Sequence, residues 1–326
     1  MTVTGDVPVD ESTTRIKRGP NWVLVAAGAA VFVAIALIIT AVRGGPEFGF
    51  EPNAGGLAQK PTPEQAPFLP GNHLIATIVM TLIGLVGVVI GIRMSLRNKS
   101  LLPVMVGLSG AFIVFPEVFY DVIGAVYFPY DPAQALGSTF TILGRTMPVW
   151  IVAGWFGYGV FTAVTFAMLN SRPTTRVLWF AWGAALAGDV IFEELLLKLD
   201  VYHYYGNQPL VLISELPWWW IPCNSVGVML AASIAYRFRR NLRGWNSVCM
   251  FVVTPMSVTA VYGFIALPSW VVTNGDYSWL VTQVAGFATL VLGVFAYMGV
   301  LKFVLNRDPF DLDYQPTEES EFLRVR

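Results

Sequence analysis

The chain has 326 residues, of which 55% are hydrophobic and 13% charged, and its net charge is -1. The charged fraction is about half that of an ordinary soluble domain, which excludes a water-soluble globule. The near-neutral balance excludes nucleic acid or another polyanion as the main partner, and the length allows one membrane domain with no second folded unit.

Residues 1–20 are polar, contain Asp6, Asp10 and Glu11, and are expected to form a disordered tail. Beyond them, a helix that crosses a bilayer needs about 20 mainly apolar residues to cover ~30 Å of hydrocarbon. Eight segments meet this requirement, at approximately 21–43, 72–92, 101–128, 147–169, 177–199, 217–236, 247–270 and 278–303. The first has no small-residue cleavage site and is too long for a signal-peptide core, so it is read as a retained helix. The expected fold is an all-α integral membrane protein, a bundle of eight transmembrane helices over residues 21–305, followed by a cytoplasmic tail at 306–326.

Orientation follows from the basic residues, which favour cytoplasmic connections. Arg15, Lys17 and Arg18 precede the first span, and Arg93, Arg97 and Lys99 follow the second. Arg172 and Arg176 follow the fourth, and Arg237, Arg239, Arg240 and Arg243 follow the sixth. With Lys302, Arg307, Arg324 and Arg326 after the eighth, 16 of the 20 basic residues lie on one side. Only Arg43, Lys60, Arg145 and Lys198 fall on the other. Both termini are therefore expected in the cytoplasm of a protein of the cell membrane. Residues 44–71, rich in Pro and Gly, are expected to form an irregular outer loop. Trp218, Trp219 and Trp220 are expected at the outer interface, as in an aromatic belt.

Ionisable groups inside a bilayer are costly and usually face a cavity with a function. The third span contains Pro116, Glu117 and Asp121, and the fifth contains Asp189, Glu193 and Glu194. Glu117/Asp121 and Asp189/Glu193 are i, i+4 pairs, so each pair shares one helical face, and the repulsion within it calls for water, protons or a ligand. Glu117 and Glu193 each lie 16 residues from their cytoplasmic boundaries at Leu101 and Val177, about 24 Å at helical rise. Asn224 on the sixth span reaches a similar level. Glu194 points away from Glu193 and, with Lys198 one turn on, is expected to form an ion pair. Asn224 fits a ligand contact and a helix–helix hydrogen bond equally well. The aromatic loop from Asp200 to Pro209 fits either a lid over the cavity or an interfacial anchor. His73 and His203, with no cysteine beside them, do not make a metal site, so neither metal nor cofactor is expected. Cys223 and Cys249 fall near opposite faces of the membrane, too far apart for a disulfide.

The fifth-span stretch Gly188-Asp189-Val-Ile-Phe-Glu193, continued by Tyr202-His-Tyr204-Tyr-Gly206-Asn-Gln-Pro209, resembles the avermectin spirocyclase family of actinobacterial multi-pass membrane proteins. The aromatic-Pro segment Trp218-Trp-Trp-Ile-Pro222 continues the likeness. A looser one covers Pro116-Glu117 to Tyr127-Phe128 and the downstream Ala135-Leu-Gly137. There the family carries an aromatic-Gln-Asp-Pro motif with an Asn one turn on. In this chain Glu117 stands for the Asp, Asp121 for the Asn, and the proline precedes the acid. The resemblance spans residues 70–240 and implies closure or dehydration of a polyketide spiroketal.

Such chemistry needs a carboxylic acid to give a proton and a neighbouring carboxylate to steady a cation or take the hydroxyl proton. Members of a close carboxyl pair titrate together, so the proton belongs to the pair. The expected catalytic residues are Glu193, Asp189 and Glu117, with Asp121, Asn224, Tyr202 and Tyr204 as substrate contacts. The expected partners are a lipophilic small-molecule substrate and membrane lipid, and the sequence leaves the oligomeric state open. A proton-coupled transporter and a non-catalytic protein that binds lipid or a partner remain as alternatives.

Overall fold

The computed structural model describes residues 21–131 and 138–317. The tail at 1–20, the segment Ala135–Gly137 and residues 318–326 lie outside the described residues. Helix α1 (Trp22–Arg43) starts at Asn21, whose side-chain oxygen accepts from the backbone N–H groups of Val23 and Leu24 at 3.2 and 3.4 Å. This cap satisfies donors that a helix start otherwise leaves orphaned. Helix α2 (Pro70–Asn98) opens on a proline, whose missing N–H is no loss at that position. It runs six residues past its expected end and stops at Lys99, which takes a left-handed φ of 48°.

The third expected span is built in pieces. Helix α3 (Leu102–Leu108) tightens into a 3-10 stretch at Ser109–Ile113 and resumes as α4 (Val114–Ile123). The tightening precedes Pro116, whose ring crowds the preceding turn and removes one helical donor. The helix ends at Ile123 and not at residue 128. Ala125 turns the chain with φ 57°, and Val126–Tyr127 form strand β1. Branched and aromatic side chains favour this pleated, half-covered state. Strands β2 (Phe140–Ile142) and β3 (Arg145–Met147) pair across Leu143 and Gly144, both at positive φ, the geometry of a tight two-residue hairpin turn.

Helices α5 (Val149–Asn170) and α6 (Thr175–Leu197) follow, then strand β4 (His203–Tyr204), antiparallel to β1. Helix α7 (Trp220–Arg237) begins three residues later than expected, after the chain doubles back so that Trp218 N–H donates to Leu210 O at 3.0 Å. The seventh expected span is a 3-10 turn (Gly244–Cys249), α8 (Met250–Ile265) and α9 (Leu267–Thr273), with Pro268 at the α8–α9 junction. Helix α10 (Trp279–Gly299) ends in a π-helical turn at Val300–Val304.

Six of these helical segments are long and apolar enough to cross a membrane: Trp22–Arg43, Pro70–Asn98, Leu102–Ile123, Val149–Asn170, Gly244–Ile265 and Trp279–Val304. Helices α6 and α7 fall short of that apolarity, and they carry Asp189, Glu193, Glu194 and Asn224.

Hydrogen bonds sort the connections into two ends. At one end Asn72 donates to Leu199 O, Ala58 N–H to Asn274, Asn274 to Ile123 O, and Gly206 N–H to Phe48 O. At the other end Arg176 pairs with Asp313 at 2.8 Å, and Arg307 donates to Pro173 O at 2.5 Å. The core between them depends on close backbone approach. A Cβ on Gly110 would lie 2.5 Å from Trp155 O and 2.7 Å from Gly159 Cα, so only glycine lets the 3-10 stretch seat on α5.

Candidate functional site

Glu117 and Asp121 sit one turn apart on α4, 6% and 0% exposed. Glu193, on α6, faces them across a narrow cavity of about 50 Å³. Its lining includes Phe128, Trp150, Trp155, Tyr158, Tyr202, Tyr204, Trp220, Asn224 and Tyr262. The acids of two helices thus open on one chamber, as the matched depths predict.

The roof follows strand periodicity. Pairing of Val126 with Tyr204 and of Tyr127 with His203 sends alternate side chains to opposite faces. Val126, Phe128, Tyr202 and Tyr204 face the cavity. Tyr127 and Tyr205 turn outward and bury themselves with Ala58, Ala66 and Ala125 beneath the 44–71 loop. The Asp200–Pro209 loop is therefore a lid. Gln208 pins it: its Nε2 donates to Gly124 O at 2.7 Å and Tyr205 O at 3.0 Å, and its Oε1 accepts from Trp219 Nε1 at 3.0 Å.

The two oxygens of Glu193 differ. Oε2 accepts from the Tyr202 hydroxyl in a short hydrogen bond and from the Tyr204 hydroxyl at 3.3 Å. Among the described residues no hydrogen bond reaches Oε1, and Glu193 lines the cavity while keeping part of its accessible area. Glu117 Oε2 and both Asp121 oxygens are buried and accept from no N–H or hydroxyl group, and the two carboxyls lie within hydrogen-bonding reach of each other. The Trp155 indole faces Glu117 but misses hydrogen-bonding geometry. Trp150 Nε1, Trp220 Nε1 and the Tyr158 hydroxyl are likewise buried donors without a partner. Buried polar groups are normally paired, and these unpaired atoms concentrate around one cavity.

Asp189 does not line the cavity. It lies 1% exposed behind the wall, where Asn224 Nδ2 donates to its Oδ1 at 3.5 Å. Asn224 Oδ1 accepts from the Tyr262 hydroxyl, and Tyr262 stacks on Tyr120 with ring centroids 4.2 Å apart. Asn224 thus makes the hydrogen bonds between helices that the sequence allowed, and it also lines the cavity. Glu194 is structural, but its partner is not Lys198: Oε2 accepts from the Ser214 hydroxyl and Oε1 from Ser214 N–H at 3.4 Å. His73 packs against Phe68, and His203 approaches Glu215 at 3.9 Å.

Sequence reasoning missed the aromatic wall and Arg145. Trp150, Trp155 and Tyr158 lie on α5, which has no acid to draw attention to it. Arg145 is 8% exposed on β3, donates to the Tyr205 hydroxyl, and lies within electrostatic reach of Asp121. Its signal was being one of only four cations placed opposite the basic side. Comparison of the chain with protein-family models, with curated proteins and with solved structures found no match.

Proposed function

We propose that this protein is a membrane-embedded acid catalyst of the avermectin spirocyclase kind, a cyclase or dehydratase acting on a lipophilic, oxygen-bearing polyketide- or terpenoid-like substrate. In this reading it spans the cell membrane eight times, with both termini cytoplasmic and the lid outside. Helices α6 and α7 cross in spite of their polar residues because other helices cover them.

The observation that carries the reading is the pairing of carboxyls with aromatic faces in one buried cavity. Aromatic faces attract cations, and carboxyls donate protons and stabilise the cations that result. Spiroketal closure uses both properties. A carbonyl oxygen is protonated and attacked by a hydroxyl, giving a hemiketal. Protonation of the hemiketal hydroxyl and departure of water leave an oxocarbenium ion. A second hydroxyl then adds and loses its proton, for a net release of one water. Glu193 Oε1 is the suitably open donor, while Tyr202 and Tyr204 hold Oε2. Glu117 and Asp121 would face the cation, and Trp150, Trp155, Tyr158 and Trp220 would meet substrate oxygens through their free N–H and O–H groups. The slender cavity suits the reacting part of a substrate, with the remainder outside it. Asp189 would act on Glu193 from behind the wall.

The test compares lipid-soluble metabolites from source cells carrying the wild-type gene, a deletion, or Glu193→Gln. The expected outcome is that deletion and Glu193→Gln both accumulate a compound differing from the wild-type product by one water, or an isomer of it. Unchanged metabolites in cells that make the protein would remove the catalytic reading. Proton-linked uptake by reconstituted vesicles would then favour a carrier.

A further inference from the structure

Outside the acid cavity, two cations share a second pocket at the lid end. It is lined by Asn53, Gln59, Lys60, Leu143, Gly144 and Arg145, among others, and has a volume of about 310 Å³. The hairpin turn between β2 and β3 brings the pair together. Gly144 and its neighbour Leu143 reverse the chain, Lys60 Nζ donates to Gly144 O at 3.1 Å, and Arg145 follows directly. Partial burial, and after it the Arg145 charge, hold the Lys60 ammonium below the ordinary lysine range.

Neither cation has a carboxylate within ion-pair distance among the described residues, and the acid that the Arg145 charge reaches, Asp121, lies on the acid cavity. Arg145 spends one N–H on the Tyr205 hydroxyl, while its Nε is buried with no partner. A buried guanidinium normally engages a carboxylate or phosphate through two parallel N–H groups. A like-charged neighbour raises the cost of leaving it without one.

We propose that the Lys60–Arg145 pocket is a binding site for an anionic oxygen group, a carboxylate or a phosphate. Arg145 supplies the directional N–H donors, and Lys60 closes the rim as a mobile point charge. The site does not depend on catalysis in the acid cavity, and its test reads binding alone.

The full-length protein in non-ionic detergent is titrated with inorganic phosphate and separately with acetate, against chloride at constant ionic strength, while its melting temperature is followed. A ligand that binds only the folded state raises that temperature in a saturable way. A third arm compares nanodiscs with and without phosphatidylglycerol. The expected result is a saturable rise for wild type, with a midpoint at least about tenfold weaker in Lys60→Gln and largely kept in Lys60→Arg. Arg145→Gln should lose the response as well. Should that buried substitution prevent folding, the exposed Lys60 pair carries the test. Saturation by phosphate or acetate identifies a soluble anion. Saturation only with phosphatidylglycerol, with the same dependence on Lys60, identifies a lipid headgroup. Absence of a saturable effect in all three arms, or equal midpoints for wild type and Lys60→Gln, overturns the proposal.

Discussion

Glu193 puts its two oxygens in different surroundings: Tyr202 and Tyr204 hold one, and the other accepts no hydrogen bond among the described residues. Replacing it with Gln keeps the shape and removes the acid. Turnover should fall by about 10²- to 10⁴-fold while the melting temperature changes little. Asp189→Asn should cost much less, because Asp189 sits behind the wall and Asn at that position can still accept from Asn224. A side-by-side rate measurement of the two variants checks this order, and equal losses would place Asp189 in the chemistry. Tyr202→Phe removes the shorter of the two donors to Oε2 while Tyr204 still donates to it, and should destabilise the fold by about 0.5–1.5 kcal/mol, the net worth of one hydrogen bond, as read by thermal or denaturant unfolding. The i, i+4 acid pairs made Glu117, Asp121 and Glu193 legible from sequence. The difference between Asp189 and Glu193 was not, since both lie on the same helical face and only the packing of α7 covers one of them.

The lid is the element whose role the sequence left open. Alternating aromatics in Tyr202-His203-Tyr204-Tyr205 fit an interfacial anchor as well as a strand. The pairing of β4 with β1 decides the matter by turning Tyr202 and Tyr204 inward. That pairing exists because α4 stops early, at a point that hydropathy cannot locate when Val126, Tyr127 and Phe128 are as apolar as the helix before them. Gln208 ties the lid to the end of α4 and the start of α7. Gln208→Leu strands at least two buried backbone carbonyls and one indole N–H, at about 1–3 kcal/mol for each group left unsatisfied. The expected result is a lower melting temperature and a loss of turnover although no carboxyl has changed. Full activity in this variant would show that the lid need not hold its register.

At the scale of the whole molecule, the prediction concerns sidedness. Cys249 is exposed and Cys223 buried, so Cys249→Ser gives a background with no reactive thiol. In that background, a membrane-impermeant thiol reagent applied to intact cells should label Asn53→Cys and spare Asn246→Cys until the membrane is opened. The reverse pattern would invert the proposed topology. The six apolar helices are independent of this result, because length and composition alone qualify them.

Hydropathy located the six apolar helices because each needs a continuous apolar run, a local property that neighbours do not alter. Acid spacing picked out the two pairs for the same reason, since residues four apart share one face of an α-helix in any fold. What lines the cavity was settled only by tertiary packing. Trp150, Trp155 and Tyr158 look like ordinary apolar residues of a membrane helix, Trp220 like part of an interfacial belt, and Arg145 like a loop cation. Their role comes from which neighbours they meet and which of their polar atoms go without a partner. Those contacts join residues far apart in the chain, so no local pattern records them.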